Sequence, residues 1–131
     1  MLNGALIDIL ALVPTRMQID MSELATVAPG RLNQFTSIEK MIHDSADRSY
    51  VVVFITATGF SIEEWWRIWG FLNDKDPHPC IIAYALRSEF ELWSSVLDAG
   101  AFDLIVAPFT KEKLRRAILS ALDEFARRSA E

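Results

Sequence analysis

LDAGAFDLIVAPFTKEKLRRAI, running from Leu97 to Ile118, changes its apolar period part-way along, and that change sets the fold class. Phe102 to Val106 is a short apolar run stopped by Ala107-Pro108, too short for a helix and suited to a buried strand. From Thr110 onward the apolar residues are Leu114, Ala117, Ile118, Ala121, Leu122 and Phe125, at spacings of three and four that lay one stripe along a helix. Thr110 can cap its first turn, and Arg127 and Arg128 suit the negative end of its dipole. The segment reads as strand, turn, helix.

The same alternation continues upstream. Cys80 to Leu86 forms the preceding strand, and Ser88 to Ala99 a helix carrying Phe90, Trp93, Val96 and Leu97, closed by Gly100 as a C-cap. Before these, Tyr50 to Ile55 is the most β-branched run of the chain. Ser61 opens a helix with Ile62, Trp65, Trp66, Trp69 and Leu72 on one face, and Asn73 to Pro77 is the turn after it. Thr36 with Glu39 makes a capping box for a shorter helix through Ile38, Met41 and Ile42. Strands alternating with helices predict parallel crossovers and a sheet covered on both faces.

Residues 1–30 read less regularly. Leu6 to Val13 fits a buried strand, and Leu2, Leu6, Ile9, Leu10 and Val13 fit a helix about as well; strand is preferred, although periodicity alone does not decide. Leu24 to Ala28 reads as a second strand. Only Pro14 to Glu23 lies between the two, short for a parallel crossover containing a helix, and Met17, Ile19 and Met21 alternate as in an extended segment. The first helix of a regular repeat is therefore expected to be missing or reshaped.

A chain of 131 residues, half of them apolar, predicts one folded domain over 1–131. With 13 Lys and Arg against 18 Asp and Glu the formal charge is −5, which gives no general attraction to phosphate backbones or anionic lipid. Neither nucleic acid nor a membrane is an expected partner. Cys80 is the single cysteine, so no internal disulfide and no cysteine-based zinc site can form, and a reducing, cytoplasmic setting is expected. There is no apolar run of bilayer-spanning length, no signal-peptide pattern, no internal repeat and no linker.

The stretch from Leu97 to Ile118 resembles the end of response-regulator receiver domains, whose pattern is (L/E)-x-A-G-A-x-D-(Y/F)-(L/I)-x-K-P-F followed by an amphipathic helix. The likeness extends back to about Tyr50 and thins before Thr36. It implies a CheY-like, three-layer α/β fold with a five-stranded parallel sheet of flavodoxin-like order, in agreement with the alternation above. It also implies a phosphorylation site: an acidic pair after the first strand for Mg²⁺, an acceptor Asp ending the third, a Ser or Thr ending the fourth, and a Lys before the Pro after the fifth. Here the third strand ends at Ile55-Thr56 with no carboxylate before Glu63, the hydroxyl position falls on Ala85, and the lysine position on Ala107. Near the first strand the only acid is Asp8, inside the apolar run, where the plainer reading is a residue at a strand edge or helix surface. The switching aromatic of the fifth strand corresponds to Leu104. Pro108 can keep the family's cis peptide as an architectural feature. The resemblance thus implies a degenerate receiver without phosphoryl-dependent switching, and without bound metal or cofactor.

What such a domain retains is its surface. In the family the face made by helix 4, strand 5 and helix 5 forms dimers and partner contacts; here it would draw on Phe90, Trp93, Leu97, Phe102, Leu104, Lys113, Arg116 and Ala117, with simple core packing as the competing reading for each aromatic. Trp65-Trp66-Arg67-Ile68-Trp69 makes an apolar arc wider than one sheet face requires, so either a binding surface or large core aromatics would account for it. Thr56-Ala57-Thr58-Gly59-Phe60-Ser61 looks like the phosphate loop of flavodoxins, through Thr56, Thr58, Gly59 and Ser61, but follows the third strand instead of the first; a turn with helix-capping hydroxyls is the plainer reading. His43 and His78 have no partner at metal-ligand spacing, and no Walker loop, G-x-S-x-G or G-x-G-x-x-G occurs. The expectation is a non-enzymatic signalling domain that binds a protein partner or itself as a dimer. The alternatives are a small-ligand module binding phosphate or flavin, or the excised input domain of a transcription regulator.

Overall fold

The computed structural model describes residues 8–14, 22–28, 30–56, 60–75, 78–85, 94, 97–98, 101–106 and 110–129. In chain order the elements are β1 (Asp8–Leu12), α1 (Ser22–Val27), β2 (Arg31–Phe35), α2 (Ile38–Ser45), β3 (Val52–Thr56), α3 (Ile62–Asn73), β4 (Cys80–Ala85), β5 (Asp103–Val106) and α4 (Lys111–Ser129). All strand pairs are parallel, in the order β2-β1-β3-β4-β5. This is the flavodoxin-like order predicted from the sequence.

The continuous apolar runs become the central strands because those strands are covered on both faces. Every residue of β3 and β4 is buried, as is β1 after Asp8. Alternate side chains then sort into two cores. Leu10, Leu12, Val53, Ile55, Ile81, Ala83 and Ala85 pack against Ile38 and Met41 of α2 and Ile68, Trp69 and Leu72 of α3. On the other face Ile9, Ala11, Val52, Phe54, Cys80, Ile82 and Tyr84 meet Leu24 of α1 and Leu114, Ala117, Ile118, Ala121 and Phe125 of α4. Each fully buried Leu, Ile or Phe contributes about 1.5–3 kcal/mol by leaving water, so the two layers are what hold the sheet. The stripe read from Thr110 onward is the α4 half of the second core, and the Thr110 hydroxyl accepts from the Lys113 N–H at 3.1 Å as a cap.

In the N-terminal third the preferred strand reading of the first apolar run holds, and three other features depart from the sequence reading. Residues 8–12 are a strand, settling the helix alternative. Leu24 to Ala28, read as a strand, is instead largely α1, with the Ala28 N–H still donating to the Leu24 carbonyl at 2.9 Å. The second strand is Arg31–Phe35, a half-exposed edge strand whose sequence, RLNQF, carries little β signal. A parallel β1-to-β2 connection must cross one face of the sheet, and a short helix that buries Leu24 fully is how this chain crosses it. The expected helix is therefore reshaped to six residues. Lastly, α2 is capped by Ser37, whose hydroxyl accepts from the Lys40 N–H at 3.3 Å, and not by a Thr36–Glu39 box. Glu39 is drawn away by a bidentate ion pair with Arg67 of α3.

Local chemistry fixes the ends of α2 and α3. Ser61 and Glu64 form a reciprocal capping box at the start of α3: the Ser61 hydroxyl accepts from the Glu64 N–H at 3.1 Å, and the Glu64 carboxylate accepts from the Ser61 N–H at 2.8 Å. At the other end the Lys75 ammonium donates to the Ser45 carbonyl at 2.9 Å while lying 4.7 Å over the Phe71 ring. Beneath it the buried hydroxyls of Ser45 and Tyr50 are 2.7 Å apart. Of the helix predicted from Ser88 to Ala99, only residues 94, 97 and 98 are described, all helical; Phe90 and Trp93 lie outside the described residues.

Candidate functional site

In open α/β sheets the chemistry gathers at the carboxyl ends of the strands. β1 ends at Leu12, followed by Val13, whose N–H donates to the Phe35 carbonyl at 2.9 Å, and by buried Pro14. β3 ends at Ile55 and Thr56, both fully buried, and β4 at Ala85, also buried. The register sets Leu12 beside Ile55, Thr56 beside Tyr84, and Ala85 beside Val106. These four strand tips carry no acidic residue. Ala107 and Pro108, as well as Thr58 and Gly59, lie outside the described residues.

Thr56 is the one polar side chain at these tips. Its hydroxyl is buried and has no hydrogen-bond partner among the described residues. Strand alternation puts it on the Phe54 face, over the α1 and α4 layer. A buried hydroxyl without a partner destabilises by about 1–3 kcal/mol.

Asp8 stands at the opposite end of the sheet. It opens β1, four residues before the strand tip, about 13 Å away at the usual rise per residue. Its carboxylate accepts from Arg31 Nε at 2.8 Å, tying β1 to the first residue of β2. Its position and its partner are those of an ion pair at the amino end of the sheet, joining β1 to the edge strand β2. Among the described residues no group of three His, Cys, Asp or Glu side chains is placed to hold a metal ion.

A cleft of about 260 Å³ opens beside the strand tips, between the N-termini of α2 and α3. Pro14, Thr36, Ser37, Ile38 and Glu39 line one side and Phe60 and Glu64 the other. Its two carboxylates are already engaged, Glu39 with Arg67 and Glu64 with the Ser61 N–H. The Arg67 guanidinium holds the Glu39 carboxyl below the usual carboxylate range, so it stays ionised. An acidic cleft is a poor seat for a phosphate, and the donors that the Thr56–Ser61 loop would offer are reduced by the capping box.

The predicted interaction face separates into core and surface. Leu104 and Ala117 are buried, in opposite cores, and so belong to no contact face. The family resemblance places both on that face by position in the strand and helix, whereas their apolar spacing is that of the strand and helix interiors. Leu97 and Phe102 are half-buried against those cores, while Lys113 and Arg116 are exposed. The Lys113 ammonium reaches back to donate to the Val106 carbonyl at 2.8 Å, bringing a cation to the tip of β5. Nothing in the residue pattern signals that reach across seven residues.

The tryptophan run also divides. Trp69 is buried and Trp65 half-buried, their rings stacked 4.4 Å apart, whereas Ile62 and Trp66 stand 77% and 60% exposed on the outer side of α3. The single face predicted for Ile62, Trp65, Trp66, Trp69 and Leu72 is thus two faces. Cys80 is fully buried, and burial pushes its thiol above the ordinary range, the condition of a small hydrophobe and not of a nucleophile. His43 and His78 are exposed, with His78 Nδ1 3.0 Å from the Lys75 carbonyl. No helix among the described residues is long and apolar enough to cross a membrane.

No protein-family model matches the chain, and no curated protein matches it. Solved structures do. A response-regulator receiver domain protein (CheY-like) of Methanospirillum hungatei superposes with a TM-score of 0.75 at 15% identity, covering 94% of this chain and 98% of that one. A response regulator of Thermotoga maritima gives 0.71 at 16% identity, with 90% and 99% covered. A "putative pilus assembly protein" of Burkholderia thailandensis gives 0.73 at 14% identity, again with 90% and 99% covered. With the strand order, the two-layer helix cover and these superpositions together, the chain has the CheY-like receiver fold.

Proposed function

We propose that this chain is a non-enzymatic, receiver-like signalling module, cytoplasmic and folded as one domain, that acts by binding another protein chain and without being phosphorylated. One observation carries the reading: the tips of β1 and β3 present Leu12, Ile55 and Thr56, where phosphoryl chemistry needs carboxylates, and the tip of β4 presents Ala85, where it needs a hydroxyl. An acyl phosphate forms only on a carboxylate oxygen, and Mg²⁺ needs a set of oxygen ligands to be held. Signal transmission fails on the same grounds. Ala85 has no hydroxyl to follow a phosphoryl group, and Leu104 is a buried aliphatic side chain in place of a ring that could change rotamer.

Fold alone does not choose among functions, since the same architecture occurs in proteins described as response regulators and in one described as a pilus assembly protein. The residues at the site support the phosphorylation-independent reading. The small-ligand reading of the Thr56 to Ser61 loop is disfavoured by the Ser61–Glu64 capping box, which engages a backbone donor and sets a carboxylate where a phosphate would approach.

Acetyl phosphate or beryllofluoride with Mg²⁺ is expected to leave the tryptophan emission of the full chain unchanged. Trp66 is exposed and Trp65 stacks on Trp69 beside the α3 N-terminus, so a rearrangement near the strand tips would register. A saturable change in emission would defeat the proposal.

A further inference from the structure

We infer that the outer face of α3 pairs with the same face of a second copy of this chain, antiparallel, about a two-fold axis through Trp66. This deepens the binding reading above by naming its partner. The observation behind it is an exposed apolar stripe that the fold does not use. Ile62 and Trp66 are exposed, one turn apart, and the next residue along the same line is Gly70. A glycine inside a helix costs about 1 kcal/mol relative to alanine. Among the described residues nothing demands one here, because a Cβ built at Gly70 would meet none of them within 4 Å.

The stripe is complementary to itself. Ile62 precedes Trp66 by four residues and Gly70 follows it by four, each about 6 Å along the axis. Turning one helix over about Trp66 lays Trp66 against its own copy and sets each Ile62 over the partner copy's Gly70, bulk into notch. A closed two-fold contact is the commonest solution for identical chains. The charged flank agrees with that arrangement. Glu63 and Arg67 lie on the same side of the stripe, and antiparallel pairing brings Glu63 of one copy near Arg67 of the other, twice. Glu63 has no ion-pair partner among the described residues. Arg67 is held in place by Glu39, which orients its guanidinium without filling every donor. The region predicted to dimerise from the family resemblance lies elsewhere, at the β5 and α4 side.

Sedimentation velocity on the full chain, with and without beryllofluoride and Mg²⁺, tests the pairing. The expected result is a concentration-dependent dimer in both conditions, weakened by about thirtyfold or more in Trp66→Ser, as for loss of a central aromatic anchor. Gly70→Leu fills the notch and is expected to abolish the dimer while leaving the helical circular dichroism intact and the melting temperature unchanged or raised. Far-ultraviolet spectra of both variants show that they fold. A chain that sediments as a monomer in both conditions overturns the α3 pairing but leaves phosphorylation-independent binding standing. A dimer seen only with beryllofluoride overturns that broader reading instead. A Gly70→Leu chain that dimerises like the parent also overturns the pairing.

Discussion

The strand tips and the outer face of α3 invert each other. At the tips, where the receiver resemblance implies charged and hydroxyl-bearing groups, the chain has Leu12, Ile55 and Ala85, all buried. On the outer face of α3, where a lone domain would carry polar residues, it exposes Ile62 and Trp66. The loss at the first and the surplus at the second have one physical sense. Strand tips without carboxylates are closed over by apolar neighbours, whereas large apolar side chains exposed together on a helix face are a feature of contact surfaces. On the proposed reading, the difference teaches that a scaffold retains its fold while its working surface moves from a pocket to a helix face.

The sharpest way to break this contrast is to return a carboxylate to the tip. Ile55→Asp puts an unpaired acid into a fully buried position and is expected to destabilise by more than about 4 kcal/mol, enough to unfold a domain whose total stability is about 5–15 kcal/mol. Urea titration followed by circular dichroism measures it; a variant as stable as the parent would mean that the tip is open to water and to ligands. The next effect is smaller. Tyr50→Phe leaves the buried Ser45 hydroxyl without its partner and is expected to cost about 1–2 kcal/mol in the same titration.

Thr56→Val carries the opposite sign. The hydroxyl lost is without a partner among the described residues, so the variant is expected to gain about 1 kcal/mol. A loss of stability there would reveal a polar role for Thr56 at the tip. On α3, Ile62→Ser is expected to change the monomer's stability by no more than about 0.5 kcal/mol, measured at concentrations below self-association. A large loss would place Ile62 in the core and erase the contrast.

The smallest effect concerns pH. Hydrogen bonds from Arg127 and Arg128 hold the Glu124 carboxyl below its ordinary value of 4.5, so its folded form binds a proton less readily than its unfolded form. The stability that it lends is therefore present above that ordinary value and is lost as pH falls through the lower, folded one. Melting temperatures measured down an acid series should converge for the parent and Glu124→Gln at the acid end, and separate slightly, with the parent higher, at neutral pH. Surface screening keeps the difference small.

The legible parts of the fold were those whose burial is symmetrical. β3, β4, β5 and α4 could be read because strands covered on both faces become continuous apolar runs and a helix covering one face becomes a stripe. β2 was missed because an edge strand is half-exposed and its RLNQF sequence alternates weakly. α1 was misread because a helix of six residues has too few turns to show a period. At the candidate site, the absence of acids at Ile55, Thr56 and Ala85 was plain from residue identity. The burial of Leu104 and Ala117 was not, because a row of apolar residues is the same pattern whether it meets a sheet or a partner.

Residue identity and spacing by themselves determined that this chain builds a parallel sheet with helices on both faces and that the strand tips lack carboxylates. Those properties follow from local periodicity and side-chain chemistry, which need no neighbour to be defined. Only the tertiary structure decided which apolar residues were left over. Exposure is a difference between what an element offers and what its neighbours cover, so Trp66 and Trp69, alike in the sequence, became a surface and a core.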